Sequence, residues 1–506
     1  MTRPWDPIEL ALETSDRYDN PYTDLDPEAT FTHEDGTEHT VAGFWDGGED
    51  WVVRFAPPQP GTWTWKTAAD DPGLVASGTI GVTPATGDGR LREHGFLEAG
   101  ERALYHADGT PFFWLADTVW SAGAKATVEE WDAYVSYRAA QGYTVAQINA
   151  LPQHDASKPQ NRIPFVDWDL DRPDSSYFRV LDALCARCHD AGIVPALVAL
   201  WFDYVPGVNL DWGVENRHHF DEAQARRFGR YLGARYGPYG AAWLVSGDSD
   251  FPEEGLAVYT AAAEGIRDAS THPVCCAHMY GGLVTPDAAN EQDWLDFHLY
   301  QSSHVADLER PAEQAVDSRE LEPARPVING EPPYEGHGYF DDEPGRISRV
   351  LARRAAWISV LAGANAGVTY GGHGLWQWHR PGEENPQVRK GRPDHWKDAL
   401  ALPGAADYAR LRAFMEEYAF ESLEPCQEVL VGSDVTVRAA EVPEHDVVLV
   451  YVPEPQDVVL DGLEVSDRSC RWWHPGTGEW FNAEVEGMTV DEPPFLDDGL
   501  LVIALD

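Results

Sequence analysis

Eight apolar segments with the length of buried strands alternate with helical segments between about residue 96 and residue 420. In chain order they are "FFWLAD", "YTVAQINA", "IVPALVALW", "AAWLVSGDSD", "HPVCCAHMY", "WLDFHLYQ", "RPVINGE" and "AGVTYGG". Strands that are apolar on both faces are typical of parallel sheets covered by helices. Eight such repeats predict a closed (β/α)8 barrel. No glycine-rich phosphate loop follows a strand, so the pattern does not indicate a nucleotide-binding sheet.

The sequence on both sides of this region alternates apolar and polar residues with period two, which indicates antiparallel strands. Residues 1–88, with "EATFTH", "DWVVRFAPP" and "GTWTWKT", predict a small β-sandwich, and residues 84–95 predict a linker. Residues 421–506, with "DVVLVYVPE" and "LLVIALD", predict a second β domain. We therefore expect a multidomain α/β protein, in which a central TIM barrel over residues 96–420 is flanked by a β-sandwich and a small antiparallel domain.

The net charge of the chain argues against some classes of binding partner. A formal net charge of −48 over 506 residues is opposite to the basic footprint of nucleic-acid-binding proteins. Only five lysines are present, and acid-rich, lysine-poor surfaces resemble those of halophilic organisms, in which concentrated salt screens the repulsion. The longest apolar run has ten residues, too few to span a bilayer, and the N-terminus lacks the pattern of a signal peptide. We expect a cytoplasmic protein that binds neither nucleic acid nor membrane.

Six cysteines raise the question of a cofactor. The stretch "CARCH" at residues 185–189 matches a haem-attachment pattern, but it lies within an apolar pattern of helical spacing, which favours buried structural thiols. Cys275 and Cys276 are neighbours on a strand and point to opposite faces, so they do not form a shared metal site. We predict no cofactor and no metal.

Chemistry in a (β/α)8 barrel belongs at the C-terminal ends of the strands. Asp248 at the end of strand four and Glu331 at the end of strand seven are carboxylates that face each other across the barrel mouth. A retaining glycosidase needs such a pair, with one carboxyl to protonate the leaving oxygen and one to attack the anomeric carbon. Aromatic side chains around them can cover the apolar face of a sugar. The predicted substrate contacts are Asp117, Asn149, His154, Trp201, His278, His298, Tyr300, Tyr334, His373 and Trp376.

Several alternatives stay open at this point. Asp250 competes with Asp248 for the acid role, and a carboxylate at a strand end can also cap a helix or pair with an arginine. His298 or Tyr300 on strand six can hydrogen-bond Glu331 or simply pack in the core. A metal-dependent barrel hydrolase is a further hypothesis, although no H-x-H pair or H-E-x-x-H motif is present. A carbohydrate-binding protein without catalytic activity is another.

The chain resembles the apiosidase-like glycoside hydrolases. The resemblance is carried by "NPYTDLDPEATFTHEDGTEHTVAGFWDG", "DGTPFFWLADTVW", "WLVSGDSD", "PVINGEPPYEG" and "RWWHPGTGEW", and extends over essentially the whole chain. It implies an N-terminal immunoglobulin-like domain, a (β/α)8 catalytic domain and a C-terminal β domain that is often labelled collagen-binding. It also implies that Asp248 is the acid/base, that Glu331 is the nucleophile and that the substrate is an oligosaccharide or other glycoside. One departure is that most similar barrels end strand four with Asn-Glu, where this chain has Gly247-Asp248.

Overall fold

The structure is a computed structural model that describes residues 2–84, 89–153, 162–208, 218–341, 343–384 and 391–505. Its first part is a six-stranded antiparallel sheet with the strand order β1-β4-β3-β2-β5-β6. The strands are β1 (Ile8–Glu13), β2 (Glu28–His33), β3 (Glu38–Gly47), β4 (Asp50–Phe55), β5 (Gly61–Ala68) and β6 (Ser77–Val82), with helix α1 (Pro21–Asp24) between the first two.

This N-terminal sheet folds around its own core because β3 belongs to both of its halves. β3 pairs with β2 over its first residues and with β4 over its last ones. The two halves share one apolar cluster, in which Phe31, Phe55 and Trp63 are buried. The sequence prediction of an N-terminal β-sandwich is confirmed by this arrangement of antiparallel strands. The predicted linker contains helix α2 (Arg90–His94), and its residues 85–88 lie outside the described part.

A short three-stranded sheet, made of β7 (Leu97–Ala99), β8 (Leu104–His106) and β9 (Pro111–Phe112), leads into the barrel. Eight parallel strands then close the barrel in chain order, as predicted. They are β10 (Trp114–Thr118), β11 (Val145–Asn149), β12 (Val194–Trp201), β13 (Ala242–Ser249), β14 (Val274–Met279), β15 (Phe297–Tyr300), β16 (Val327–Asn329) and β17 (Gly367–Tyr370). Every residue of these strands is buried, because helices cover the outside and side chains fill the inside.

The helices of the barrel alternate with its strands. They are α3 (Ala122–Lys125), α4 (Val128–Ala140), α5 (Ser175–Ala191), α6 (Glu222–Tyr236), α7 (Glu253–Ala269), α8 (Asp287–Asn290), α9 (Glu309–Arg319), α10 (Arg349–Leu361), α11 (Trp396–Leu400) and α12 (Gly404–Glu417). Helix α4 begins with a capping box in which Thr127 and Glu130 satisfy each other's backbone N–H groups. None of the described helices is both long and apolar enough to cross a bilayer.

The C-terminal part returns to antiparallel strands. A six-stranded sheet has the order β18-β19-β20-β26-β22-β23, and a small sheet has the order β21-β25-β24. The strands are β18 (Glu424–Pro425), β19 (Arg438–Val442), β20 (Val447–Val452), β21 (Val458–Val459), β22 (Cys470–Trp473), β23 (Trp480–Asn482), β24 (Val485–Glu486), β25 (Thr489–Val490) and β26 (Gly499–Ala504). The predicted fold class, a barrel between two antiparallel β domains, is thereby confirmed.

Both flanking domains are fastened to the barrel through buried charge networks. On the N-terminal side, the buried Arg235 of α6 binds Asp46 at 2.8 Å and Asp182 at 2.5 Å. On the C-terminal side, Arg353 of α10 contacts both oxygens of the buried Asp498, at 3.1 and 3.0 Å through its Nε. Apolar clusters also continue from the barrel into each flanking domain. Ion pairs and apolar contacts therefore join each of the two flanking domains to the barrel.

Candidate active site

Asp248 lies near the end of β13 on a backbone that departs from regular strand geometry. Its φ of 51° is in the left-handed region, and the pairing of β13 with β14 shifts register between Ser246 and Ser249. Such irregularities re-aim a side chain and are frequent next to active sites. The carboxylate of Asp248 comes within 4.8 Å of the Glu331 carboxylate. The irregular main chain at Asp248 therefore brings its short side chain close to the Glu331 carboxylate.

A glycine precedes each of the two carboxylates because the neighbouring strand fills the space of a side chain. Gly247 is paired with Trp201 of β12, and a Cβ on Gly247 would lie 2.0 Å from the Trp201 indole. A Cβ on Gly330 would likewise lie 2.0 Å from the Leu299 side chain. Trp201 and Leu299 thus pack directly on the main chain that carries the acids. This packing explains why a glycine occupies residue 247.

Glu331 follows β16 and is 5% exposed. Its Oε1 lies 3.0 Å from Nε2 of His304, and its Oε2 lies 3.2 Å from Nε2 of His278. His278 also approaches Asp248, with 3.7 Å between Nδ1 and Oδ1. Oε2 of Glu331 has no aligned hydrogen-bond partner among the described residues, despite the nearby His278 ring. The two carboxylates and the His278 imidazole therefore form one buried cluster.

Burial of Glu331 alone would raise its pKa. Contacts with His278 and His304 outweigh that effect and hold the pKa of Glu331 well below its ordinary value. The carboxylate is accordingly ionised at neutral pH. Burial, and then the negative charge of Glu331, raise the pKa of the nearby Tyr334 well above its usual range, so its hydroxyl stays protonated.

Aromatic rings enclose the cluster. The Trp120 ring lies 5.3 Å from the His278 ring and 5.5 Å from that of Trp201, centroid to centroid. Trp120 also donates its indole N–H to the Tyr334 hydroxyl at 3.2 Å. Tyr334 in turn packs on the His304 ring at 4.3 Å. Flat apolar surfaces of this kind suit the C–H faces of a sugar ring.

A second group of rings extends from His304 along the rim. His337 lies 4.4 Å from His304 and 4.8 Å from His373, again between ring centroids. Trp376 donates its indole N–H to His373 at 3.4 Å. The predicted residues Tyr334, His373 and Trp376 are thereby placed on one continuous wall that begins at Glu331.

Three predicted contact residues lie on the outer face of the barrel wall. Asp117 pairs with Arg138 of α4 at 2.5 Å, and the Tyr300 hydroxyl donates to the carbonyl of Pro311 in α9 at 3.0 Å. His298 contacts the hydroxyl of Thr285 at 3.1 Å. Side chains alternate along a strand, and the neighbours of His298 and Tyr300 occupy the inner face. Asp117, His298 and Tyr300 therefore pack between barrel and helices, and they are not part of the site that we propose.

The remaining predicted residues differ in their placement. Asn149 is buried at the end of β11 and donates to Gln153 at 3.2 Å. It shares a strand face with Gln147, which reaches across the barrel to the carbonyl of Gly330 at 3.2 Å. His154 lies outside the described residues. Asp250 is exposed, in contrast to the buried Asp248, which favours Asp248 for the acid/base role.

Trp120, Gln147 and His304 touch the site although the sequence did not single them out. Trp120 and His304 follow their strands by two and four residues in loops, where no periodic pattern indicates the direction of a side chain. Gln147 lies inside a strand and resembles core sequence. An aromatic residue or histidine shortly after a strand, as in "ADTVW" and "YQSSHV", is the signal that could have found the first two.

The same cluster could be considered as a metal site, because ligand atoms of Asp248, His278 and Glu331 lie within 4.8 Å of one another. The backbone N–H of Asp248, however, donates to Nδ1 of His278 at 3.3 Å. Nδ1 is then an acceptor, and the neutral imidazole carries its proton on Nε2. Neither nitrogen has a free lone pair for a metal ion in this arrangement, so the donor set does not fit a metal well.

Comparisons with known proteins agree with this geometry. A family model described as "Apiosidase-like, catalytic domain" matches residues 98–422, and a domain of unknown function, DUF5060, matches residues 1–70. No curated protein matches the chain.

Solved structures share the fold at low sequence identity. One described as a glycoside hydrolase is 22% identical with a TM-score of 0.70, covering 81% of this chain and 97% of that one. A glycoside hydrolase family 5 structure from Bacteroides vulgatus is 24% identical with a TM-score of 0.69, covering 81% and 93%. A third structure, also from Bacteroides vulgatus and provisionally named a glycoside hydrolase, is 19% identical with a TM-score of 0.74, covering 99% of both chains. Because the family match spans more than half of the 506 residues, the chain belongs to the apiosidase-like family and contains a glycoside hydrolase catalytic domain.

Proposed function

We propose that the protein is a retaining glycoside hydrolase in which Glu331 is the nucleophile and Asp248 is the acid/base. The observation that carries this proposal is the approach of the two carboxylates to within 4.8 Å at the mouth of the barrel. Retaining enzymes hold their carboxyl groups about 5–5.5 Å apart, whereas inverting enzymes leave about 6.5–9.5 Å for a water molecule. The separation therefore supports direct attack by a carboxylate.

The two acids have different roles because their surroundings differ. His304 holds Oε1 of Glu331 at 3.0 Å, which leaves Oε2 to attack. In the first step Oε2 bonds to the anomeric carbon as the bond to the leaving oxygen breaks, and the Asp248 carboxyl gives its proton to that oxygen. In the second step the Asp248 carboxylate takes a proton from water. The water oxygen bonds to the anomeric carbon, and the ester to Glu331 breaks.

The substrate class is proposed from the site and the family together. The rings of Trp120, Trp201 and Tyr334 surround the carboxylates with apolar surface, which suits the C–H groups of a sugar. The family description, apiosidase-like, supports apiose as the sugar. We propose that apiose or another pentose is released from a plant-type or other polysaccharide-derived oligosaccharide. Hydrolysis by a pair of carboxylates uses no cofactor, and the described part of the chain contains such a pair.

Two variants test the roles, with a third as a control. Glu331→Gln should reduce turnover by several orders of magnitude for every leaving group, because no glycosyl-enzyme can form. Asp248→Ala should lose roughly 10²–10⁴-fold with poor leaving groups and less with nitrophenyl glycosides, which need no proton. Asp250→Ala removes an exposed carboxylate two residues away and should keep the wild-type activity.

The stereochemical outcome is the sharper test. Proton NMR of the first sugar released by the wild type should show the anomeric configuration of the substrate. Azide should rescue Asp248→Ala and give a glycosyl azide of retained configuration, whereas any azide product of Glu331→Gln should be inverted. Net inversion by the wild type would contradict the assigned roles. Binding without turnover across a broad glycoside panel would instead assign a carbohydrate-binding protein, and activity that depends on an added metal ion would assign a metal-dependent hydrolase.

A further inference from the structure

We infer that His278 and His304 are positioning residues that act as neutral hydrogen-bond donors to Glu331, and that His278 also fixes the main chain of Asp248. The sequence predicts His278 as a substrate contact and gives no role for His304. The inference deepens the proposed function and rests on it in one respect, namely that Asp248 and Glu331 are the catalytic pair.

The protonation of His278 follows from its partner on the main chain. The backbone N–H of Asp248 points at Nδ1 of His278, with 3.3 Å between the nitrogens. A backbone N–H is always a donor, so Nδ1 must accept and cannot carry a proton. The single proton of the neutral ring is then on Nε2, which lies 3.2 Å from Oε2 of Glu331. One imidazole therefore connects the main chain of the acid to the side chain of the nucleophile.

His304 repeats the same arrangement from another loop. The backbone N–H of Tyr334 points at Nδ1 of His304 at 3.4 Å, and Nε2 lies 3.0 Å from Oε1 of Glu331. The Nδ1 atom is again an acceptor, so Nε2 carries the proton and faces the carboxylate. Each oxygen of Glu331 thus lies within 3.2 Å of an imidazole Nε2 whose ring is oriented by a main-chain contact, although the His278 Nε2 and Oε2 are not aligned as a hydrogen bond in the described structure.

The contact from His278 to the main chain has a structural reason. Asp248 holds a left-handed φ of 51°, a conformation that costs of order 1–3 kcal/mol for a residue other than glycine and persists only when its surroundings hold it. His278 is fully buried and accepts the N–H of that residue. The imidazole therefore supports the strained segment that carries the Asp248 carboxylate.

The charge around Glu331 gives neutral donors a chemical advantage. In the described part of the chain the nitrogen groups within 4 Å of the Glu331 carboxylate belong to histidines, and no arginine or lysine is among them. When Glu331 becomes an ester it loses its charge, and a fixed cation would then be buried without a partner at high cost. Neutral imidazoles avoid that cost. Other titratable groups facing Glu331 are Asp248 from β13 and Tyr334 after β16.

Asparagine and glutamine substitutions separate the two contacts of His278. Asparagine places its amide oxygen near the position of Nδ1 and removes the donor to Glu331, whereas glutamine places its amide nitrogen near the position of Nε2 and removes the acceptor. His278→Asn and His304→Asn should move the acidic limb of kcat/KM upward by about one pH unit or more, since the buried carboxylate loses a donor. His278→Gln should leave that limb in place. It should lower kcat by roughly tenfold or more for poor leaving groups only, because Asp248 is displaced.

His298 provides the matched control, since it is a buried histidine on the neighbouring strand that contacts Thr285 and not Glu331. His298→Asn should leave the acidic limb unchanged. A merely structural role for His278 and His304 would lower activity equally at every pH and for every leaving group. That result would overturn the inference, as would a shift of the limb in His298→Asn of the same size.

A substrate-free measurement distinguishes failure of this inference from failure of the proposed function. Because the pKa of Glu331 is lower in the folded chain, its ionised form stabilises the fold above the unfolded pKa of about 4.3, and this stabilisation is lost as pH falls through the folded value. The difference in melting temperature between wild type and Glu331→Gln should therefore be constant near neutral pH and change only below about pH 4. In a His304→Asn background the folded pKa of Glu331 lies closer to the unfolded one, so the change should still begin near about pH 4 but be smaller in total and complete at higher pH. A change of the same total size as in the wild-type background would refute the histidine roles, even for a protein that hydrolyses no glycoside.

Discussion

The contact between Gly247 and Trp201 gives a prediction whose size can be worked from the structure. A Cβ on Gly247 would lie 2.0 Å from Cε3, 2.5 Å from Cζ3 and 2.8 Å from Cδ2 of the indole. Ordinary contact begins at about 3.4 Å, so the indole or the strand must move by about 1.4 Å, and overpacking of this kind costs about 1–3 kcal/mol. Gly247→Ala should therefore lower the melting temperature by several degrees.

Gly247→Ala should also lower the rate of hydrolysis, because Asp248 is the next residue. A displacement of about 1 Å at a catalytic group can reduce the rate by about 10²-fold. Trp201→Phe removes the outer ring and should relieve the clash, so the double variant should be more stable than the sum of the two single effects predicts. Thermal unfolding of the four proteins gives this coupling energy, and a glycoside assay gives the loss of rate.

Gly81 in β6 is the control for this experiment. No atom lies within 4 Å of a Cβ placed on Gly81, so Gly81→Ala should be neutral or slightly stabilising. If Gly247→Ala melts at the same temperature as Gly81→Ala, the indole does not occupy the space assigned to it. Additive effects of Gly247→Ala and Trp201→Phe would contradict the reasoning in the same way.

Three further predictions concern the rest of the chain. Melting temperature and activity should rise as KCl is increased from about 0.1 M to about 2 M, because salt screens the repulsion of a chain with net charge −48; equal values at both concentrations would argue against this. A chain that starts near Gly95 should be insoluble or inactive, since removal of the N-terminal sheet exposes Arg235 without its partner Asp46; soluble, fully active protein would show that this sheet is dispensable. Asp117→Ala should destabilise the protein by about 3–5 kcal/mol by leaving Arg138 buried and unpaired, whereas Asp132→Ala, which breaks an exposed pair with Arg187, should cost about 0–1 kcal/mol in chemical denaturation.

The barrel could be predicted because its strands are unusually uniform. Segments such as "IVPALVALW" are apolar on both faces, and each is followed by a helix with clear start and stop signals. These signals therefore predict where β13 and β16 end. Because Asp248 and Glu331 lie at those ends, the sequence also predicts that both acids lie at the mouth of the barrel.

The same uniformity explains why the inward and outward faces of some strands could not be told apart. In "WLDFHLYQ" both faces of the strand are buried, so the pattern does not tell which set of alternate side chains points inward. The structure puts Phe297 and Leu299 inside, and His298 and Tyr300 outside. The pairing of Asp117 could not be read from the sequence for a related reason, since its partner Arg138 lies on a helix whose position relative to β10 is a property of the assembled barrel.

His304 shows why the rest of the site required the structure. It lies four residues after β15 in an irregular loop, where no periodicity gives its direction. Its role depends on two contacts from other segments, the main chain of Tyr334 and the carboxylate of Glu331. Convergence of this kind involves residues that are distant in sequence, and single-sequence patterns carry no information about it.

The Gly247-Asp248 pair at the end of β13 is best understood as one linked set of features. An aspartate is one methylene shorter than a glutamate, so its carboxylate reaches Glu331 only if the main chain comes closer. The register shift of β13 and the left-handed φ of Asp248 supply that approach, and His278 holds it by accepting the Asp248 N–H. The approach also removes the room for a side chain at residue 247, where Trp201 packs on the glycine. A side chain at residue 247 would disturb this set of features, so Gly247→Asn should impair the site.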